Sequence, residues 1–336
     1  MRETSGGAAQ GGWARVGAVV LTAILTLPAS WLAAVPASAS QRTASHAAAG
    51  PPPAMGHFSK ITVPGGKQVE PESISDSGVI VGCYEAKTSQ RAFIDRHGKI
   101  STFADPAAKG NHGVTCALGI DDAGTIVGYY QIAGAAIHGF VDRHGRFSSI
   151  TAPAAGKRAR HGTVADGINR SGVIVGFYIA RLGTQRGFVL KNGKFSTIDV
   201  PLSGHSHPAA TALNAIADDG TISGIVDDPG HGIRSFIERA GKFTAVAVPN
   251  SFQTVITCIS EHQGIAVGTF QPTPKPGSQI GFTYHAGVYR SLRDPYAPRH
   301  TAPQCGNAAG LVVGYLTNAR GVATQGFLFT PTKTAQ

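Results

Sequence analysis

Tryptophan is almost missing from this 336-residue chain, and its two copies, Trp13 and Trp31, lie near the start. That excludes repeats built on a Trp-Asp dipeptide, and no Kelch double glycine replaces it. Only four cysteines occur, none as C-x-x-C, so a zinc or thioredoxin-like site is not indicated. There is no Ser nucleophile elbow, phosphate loop, HExxH helix or EF-hand loop, and no cofactor is expected. Acidic residues are scarce, 19 against 29 basic ones. No segment resembles a dense basic recognition helix or an aromatic stacking platform, so nucleic acid is not the expected partner.

Glycine and proline are abundant, 44 and 20 residues, in a chain that is 42% hydrophobic and 14% charged. Many short strands separated by turns are the natural outcome. The first residues differ. Arg2 and Arg15 precede an apolar run from Val16 to Ala34, and Ala37 and Ala39 are placed for an A-x-A cleavage. Residues 1–39 therefore read as a secretory signal peptide, with an uncleaved anchor as the alternative, and the mature chain is expected outside the cell without a membrane span. Residues 40–55 read as a small, polar, Pro-rich linker. Removing Arg2, Arg15 and Glu3 leaves 27 basic and 18 acidic residues, a surplus that favours anionic surfaces or ligands.

One stretch recurs. "SISDSGVIVGCY" begins at Ser73, "GIDDAGTIVGYY" at Gly119, "GINRSGVIVGFY" at Gly167, "AIADDGTISGIV" at Ala215, "CISEHQGIAVGTF" at Cys258 and "CGNAAGLVVGYL" at Cys305. The second glycines, Gly82, Gly128, Gly176, Gly224, Gly268 and Gly314, are spaced by 46, 48, 48, 44 and 46 residues. That period marks a propeller or a solenoid. Each period holds four strand-like runs joined by Asn-Gly or Asp-x-x-Gly turns, an antiparallel meander. "VIVGFY" is apolar on both faces, so neighbours must cover both. The outer-strand pattern "KFSTIDVP" recurs in five periods but is missing from the sixth, while "HFSKITVP" from His57 stands alone at the front.

The expected fold is therefore all-β, a six-bladed β-propeller with four antiparallel strands per blade, the N-terminal strand closing the last blade. An open solenoid or sandwich is the alternative. The repeats run over about 65–103, 104–150, 151–198, 199–246, 247–292 and 293–336 plus 56–64. Gly172 is expected at a positive-φ turn. Gly176 is expected beneath an aromatic from a neighbouring blade, such as Phe140, Phe188 or Phe282.

The pattern "GIN-x-x-G-x-IVGxY" followed by "GF-x-x-x-x-G-x-F-x-x-I-D-x-P" resembles the extracellular HAF-repeat family across residues 56–330. The resemblance implies an exported bacterial protein of repeated β units and nominates no catalytic position.

Cys83 and Cys116 fall in adjacent repeats, as do Cys258 and Cys305, so disulfides 83–116 and 258–305 are expected, with free buried thiols as the alternative. Histidines and cations gather in the connections between repeats: Lys109, His112, Arg158, Arg160, His161, His205, His207, Arg299 and His300. They nominate a ligand-binding face for an anionic polymer, a glycan or a cell-surface component. A metal held by His205 and His207 would need a third ligand. Asp227, Asp228 and His231 read mainly as turn chemistry. A non-enzymatic, monomeric binding module is the leading expectation, against a carbohydrate-active hydrolase or lyase on the same face, or an adhesive surface protein.

Overall fold

β-Branched and aromatic runs between glycine turns fold into 24 strands in the computed structural model, which describes residues 53–108, 112–200, 210–228, 232–260, 265–273, 279–285 and 287–332. The expected signal peptide, most of the linker, Lys109, His205, His207 and His231 lie outside the described residues. Among the described residues no helix is long and apolar enough to cross a membrane.

β1 (Gly56–Ile61) comes first but is the outer strand of the last group. Meander 1 comprises β2 (Lys67–Ile74), β3 (Val79–Glu85), β4 (Gln90–Arg96) and β5 (Lys99–Phe103). Meander 2 comprises β6 (Val114–Ile120), β7 (Thr125–Gln131), β8 (Ile137–Arg143) and β9 (Arg146–Ile150). Meander 3 holds β10 (Gly162–Ile168), β11 (Ile174–Ile179), β12 (Gln185–Lys191) and β13 (Lys194–Ile198). Meander 4 holds β14 (Thr211–Ile216), β15 (Ile222–Asp228), β16 (Gly232–Arg239) and β17 (Lys242–Val246). Meander 5 holds β18 (Gln253–Ile259), β19 (Ala266–Gln271), β20 (Ile280–His285) and β21 (Val288–Leu292). Meander 6 is β22 (Thr301–Gly306), β23 (Val312–Thr317) and β24 (Ala323–Pro331), completed by β1, which pairs antiparallel with β24 from Gly56↔Pro331 to Ile61↔Gly326.

The first three meanders are joined by single parallel bridges, Gln90↔Val114 and Ile137↔Gly162. The first strand of each meander touches the first strand of the next, and β22 touches β2. Hydrophobic clusters lie between successive meanders. Val81, Ala92 and Ile94 meet Ala117, Ile126 and Phe140, and Val127, Val141 and Ile150 meet Ala165, Ile174 and Phe188. Ile74, Ile80 and Phe93 of meander 1 share a cluster with Phe327 and Phe329 of meander 6. Apolar residues on both strand faces are thus buried by neighbours on both sides.

Every first strand carries a bulge in the same place. Its pairing with the second strand skips one residue, in turn Glu72, Leu118, Asp166, Asn214, Thr257 and Gln304. The bulge explains the recurring mid-strand glycine. A Cβ on Gly176 would sit 2.1 Å from the Val164 carbonyl oxygen, and in each meander the same obstacle is the carbonyl two residues before the bulge. This corrects the expectation of an aromatic from a neighbouring repeat. Phe140, Phe188 and Phe282 instead sit directly opposite the glycine of their own meander, on its third strand. Gly172 has φ 73°, as its turn requires. Residues 53 and 54 also depart from the linker reading: Pro53 bridges Ser291, and Ala54 N donates to Ser291 O at 2.8 Å.

Candidate functional site

Antiparallel connectivity sorts the links into two ends. The tight turns joining first to second and third to fourth strands share a turn end; the longer second-to-third loops and the connections between meanders share a loop end. Hydrogen bonds between first turns of different meanders align the turn ends. Ala308 N donates to Asp76 Oδ1 at 2.8 Å, Asp76 N to Asp122 Oδ1 at 2.8 Å and Arg170 N to Asp218 Oδ1 at 2.9 Å. Arg170 Nη2 also reaches back to Asp122 Oδ2 at 2.9 Å.

The loop end is pinned where four of the connections enter the next meander. A buried threonine near the start of the first strand accepts from the backbone of the incoming connection: Asp105 N to Thr115 Oγ1 at 3.1 Å, Ala152 N to Thr163 Oγ1 at 2.9 Å, Val248 N to Thr254 Oγ1 at 2.9 Å, Asp294 N to Thr301 Oγ1 at 2.9 Å. Between these pins the connections vary. His112, Arg158, Arg160, His161, Arg299 and His300 all lie in them, at the loop end. His112, Arg158, Arg160 and Arg299 are exposed, while His161 and His300 are half-buried. Among the described residues the one hydrogen bond that joins any of Arg158, Arg160, His161, Arg299 and His300 to another is the backbone turn bond from His161 N to Arg158 O at 3.0 Å, and no side-chain bond or ion pair does, so they share an end rather than a constellation. His161 Nδ1 is buried against Gly156 and has no hydrogen-bond partner among the described residues.

Three carboxylates at this end, Asp105, Asp199 and Asp294, are engaged elsewhere. Asp105 is buried, its Oδ1 accepting from Ala107 N at 2.8 Å, and burial pushes its carboxyl above the usual range. Asp294 is buried and caps Tyr296 N at 2.8 Å. Asp199 holds Arg186, whose Nε donates to Oδ1 at 3.0 Å. Arg158, Arg160 and Arg299 are exposed and form no ion pair among the described residues.

Composition alone did not single out the apolar residues of the same end. Five of the seven large hydrophobic residues exposed among the described residues, Ile132, Leu182, Phe252, Tyr296 and Val322, sit in loop-end connections. Tyr296 is 95% exposed and Leu182 87% exposed. The signal was available, since an aromatic or branched residue within a polar loop has no core to serve.

The bulge residues form the other group that sequence reasoning missed. Asn214 Nδ2 donates to Ile256 O at 2.7 Å and Thr257 Oγ1 to Pro303 O at 3.1 Å, each reaching the next innermost strand. Glu72 and Asp166 hold the same position in meanders 1 and 3. Burial raises both carboxyls well above the usual range, with the Glu70 and Asp166 charges adding to the effect on Glu72. The Glu72 carboxylate lies within 4.8 Å of Cys83 Sγ and Cys116 Sγ. Those sulfurs are bonded to each other, so no thiolate is left for a metal. Cys258 and Cys305 are likewise disulfide-bonded, Cα–Cα 5.0 Å, tying meander 5 to meander 6.

No protein-family model matches the chain, and no curated protein matches it in sequence. Among solved structures, a triple arginine mutant of AofleA from Arthrobotrys oligospora is similar at 11% identity, covering 84% of this chain and 91% of that one with a TM-score of 0.50. The Aleuria aurantia lectin AAL in complex with Fucα1-6GlcNAc shows 11% identity, covering 82% and 99%, TM-score 0.49. The Penicillium chrysogenum α-L-arabinanase complexed with arabinobiose shows 10% identity, covering 84% and 99%, TM-score 0.44. The chain has an all-β, propeller-like fold.

Proposed function

We propose that the chain is a secreted six-bladed β-propeller of the HAF-repeat kind, a non-enzymatic module whose loop end binds a glycan or other anionic cell-surface component. The observation that carries this reading is the pairing, at one end, of exposed Tyr296, Phe252 and Leu182 with exposed Arg158, Arg160 and Arg299. An apolar face against a sugar ring and a guanidinium against an acidic group are the two contacts such a ligand needs. Six meanders, each touching the next and the last touching the first, support the blade count.

The test is binding of the full chain to an array of neutral and acidic glycans, repeated with Tyr296→Ala and with Arg158→Ala/Arg160→Ala. At least tenfold weaker binding is expected for each variant, and binding unchanged by both overturns the loop-end assignment. A hydrolase is the second reading, favoured by the Glu72 and Asp166 carboxyls on the innermost strands. Release of shorter saccharides by the wild type, abolished by Asp166→Asn, would establish it in place of the first.

A further inference from the structure

The outer turns of meanders 1 to 4 share a feature that works against the fold. Each is a two-residue turn with both central residues at positive φ: His97 and Gly98, His144 and Gly145, Asn192 and Gly193, Ala240 and Gly241. The residues flanking each turn face each other directly across the strands, and in all four cases both are cations: Arg96↔Lys99, Arg143↔Arg146, Lys191↔Lys194 and Arg239↔Lys242. Like charges directly opposite each other destabilise a hairpin, and opposite charges there would have stabilised it. All eight side chains are exposed. Arg239 binds Asp219; the other seven form no ion pair among the described residues. Nearby carboxylates are committed to the turns themselves, Asp95 Oδ1 accepting from Gly98 N and Asp142 Oδ1 from Gly145 N, each at 2.6 Å.

Edge protection accounts for half of this pattern. Lys99, Arg146, Lys194 and Lys242 lie on outermost strands, where charge deters edge-to-edge pairing. Arg96, Arg143, Lys191 and Arg239 lie on third strands, already paired on both sides, and edge protection gives no reason for them. We propose that the turn end of meanders 1 to 4 is a docking surface for a linear anionic polysaccharide, which these four cation pairs hold in succession. Two residues beyond the outer-strand cation, on the same strand face, stands an exposed hydroxyl: Ser101, Ser148, Ser196 and Thr244. A cation pair beside a hydroxyl suits a sugar carrying carboxylate or sulfate among its own hydroxyls. No large hydrophobic residue of meanders 1 to 4 is exposed at this end among the described residues, so base stacking and membrane insertion have nothing to work with. The arc stops at meander 5, where the flanking pair is His285↔Val288. This surface is independent of the loop-end reading.

The test measures affinity of the full chain for heparin and for polygalacturonate across a salt series, with duplex DNA and phosphatidylserine vesicles as competing probes. The turn variant carries Arg96→Gln, Arg143→Gln, Lys191→Gln and Lys194→Gln; a control variant carries Lys60→Gln and Arg290→Gln, exposed cations on the outer strands of meanders 6 and 5 and outside both proposed surfaces. At least one anionic polysaccharide should bind in a salt-sensitive manner, weakened tenfold or more and with a shallower salt dependence in the turn variant, and within twofold of wild type in the control variant. Lys191→Arg/Lys194→Arg should keep wild-type binding, which separates charge from fold should the turn variant melt early. Wild-type affinity in a folded turn variant overturns the proposal. Tighter binding of DNA or vesicles than of either polysaccharide, or failure to bind both polysaccharides, overturns it as well.

Discussion

The first hairpin of each meander and the second hairpin are about equally regular in sequence, yet they spend their polar residues differently. In the first, Asn169 is buried and bonds across to the Ala217 carbonyl of the next meander at 3.1 Å, and Asn307 does the same to Ser75 at 3.1 Å. In the second hairpin of meanders 1 to 4, the flanking residues are exposed cations whose one ion pair among the described residues is that of Arg239 with Asp219. The first hairpin is regular because packing demands it, and the second is regular where packing demands least. Perturbing the two should therefore give effects of different size and sign.

The largest effect is expected at the mid-strand glycine of a first hairpin. Gly176→Ala places a methyl 2.1 Å from a backbone carbonyl that the bulge at Asp166 fixes in place, so strand or bulge must move. A loss of about 4 kcal/mol is expected in denaturant unfolding. A midpoint within error of wild type would show that the bulge is soft.

Next is the turn of the same hairpin. Asn307 is buried, donates to Ser75 O, and accepts from Ala309 N and Leu311 N, each at 3.1 Å. Asn307→Ala leaves Ala309 N and Leu311 N without that acceptor and removes the bond to Ser75 O, which keeps Gly78 N at 2.9 Å, where meander 6 meets meander 1, at a cost of about 2–3 kcal/mol. Arg299→Ala, in an exposed loop-end connection, should stay within about 0.5 kcal/mol of wild type. Equal losses in the two variants would erase the distinction between scaffold and proposed binding face.

Much of this division could be read in the sequence. The period, the four strands per repeat and the displaced strand at His57 are patterns of side-chain type, and the pairing of β1 with β24 follows from them. The bulge is a backbone event with no residue signature, since Glu, Leu, Asp, Asn, Thr and Gln all occupy it, and so the cause of the repeated glycine was hidden. The cations flanking the outer turns were visible as letters, but their opposition depends on a register that only strand pairing shows.

A gain is expected at Ser223. Five meanders carry a fully buried valine at this position: Val81, Val127, Val175, Val267 and Val313. Meander 4 has Ser223, equally buried, whose Oγ finds no partner among the described residues. Its cross-strand neighbour is Ala215, whereas Val267 fits beside the larger Cys258, so a valine has room. Ser223→Val should stabilise by about 1–2 kcal/mol, read as a raised melting temperature. A lowered one would mean that Ser223 is satisfied by something buried with it.

The smallest effect belongs to the second hairpin. Lys191→Glu turns a repelling pair with Lys194 into an attracting one across a turn that already has the backbone angles it needs. A gain of about 0.5 kcal/mol is expected at low ionic strength. Both charges are exposed, so the gain should shrink as salt rises and be largely gone near 1 M, where the screening length falls to about 3 Å. The sign matters more than the size. If removing a cation from the outer turn stabilises the chain while weakening its hold on an anionic polymer, the repeated charge is there for the ligand; if stability falls, Lys191 belongs to the scaffold like the residues of the first hairpin.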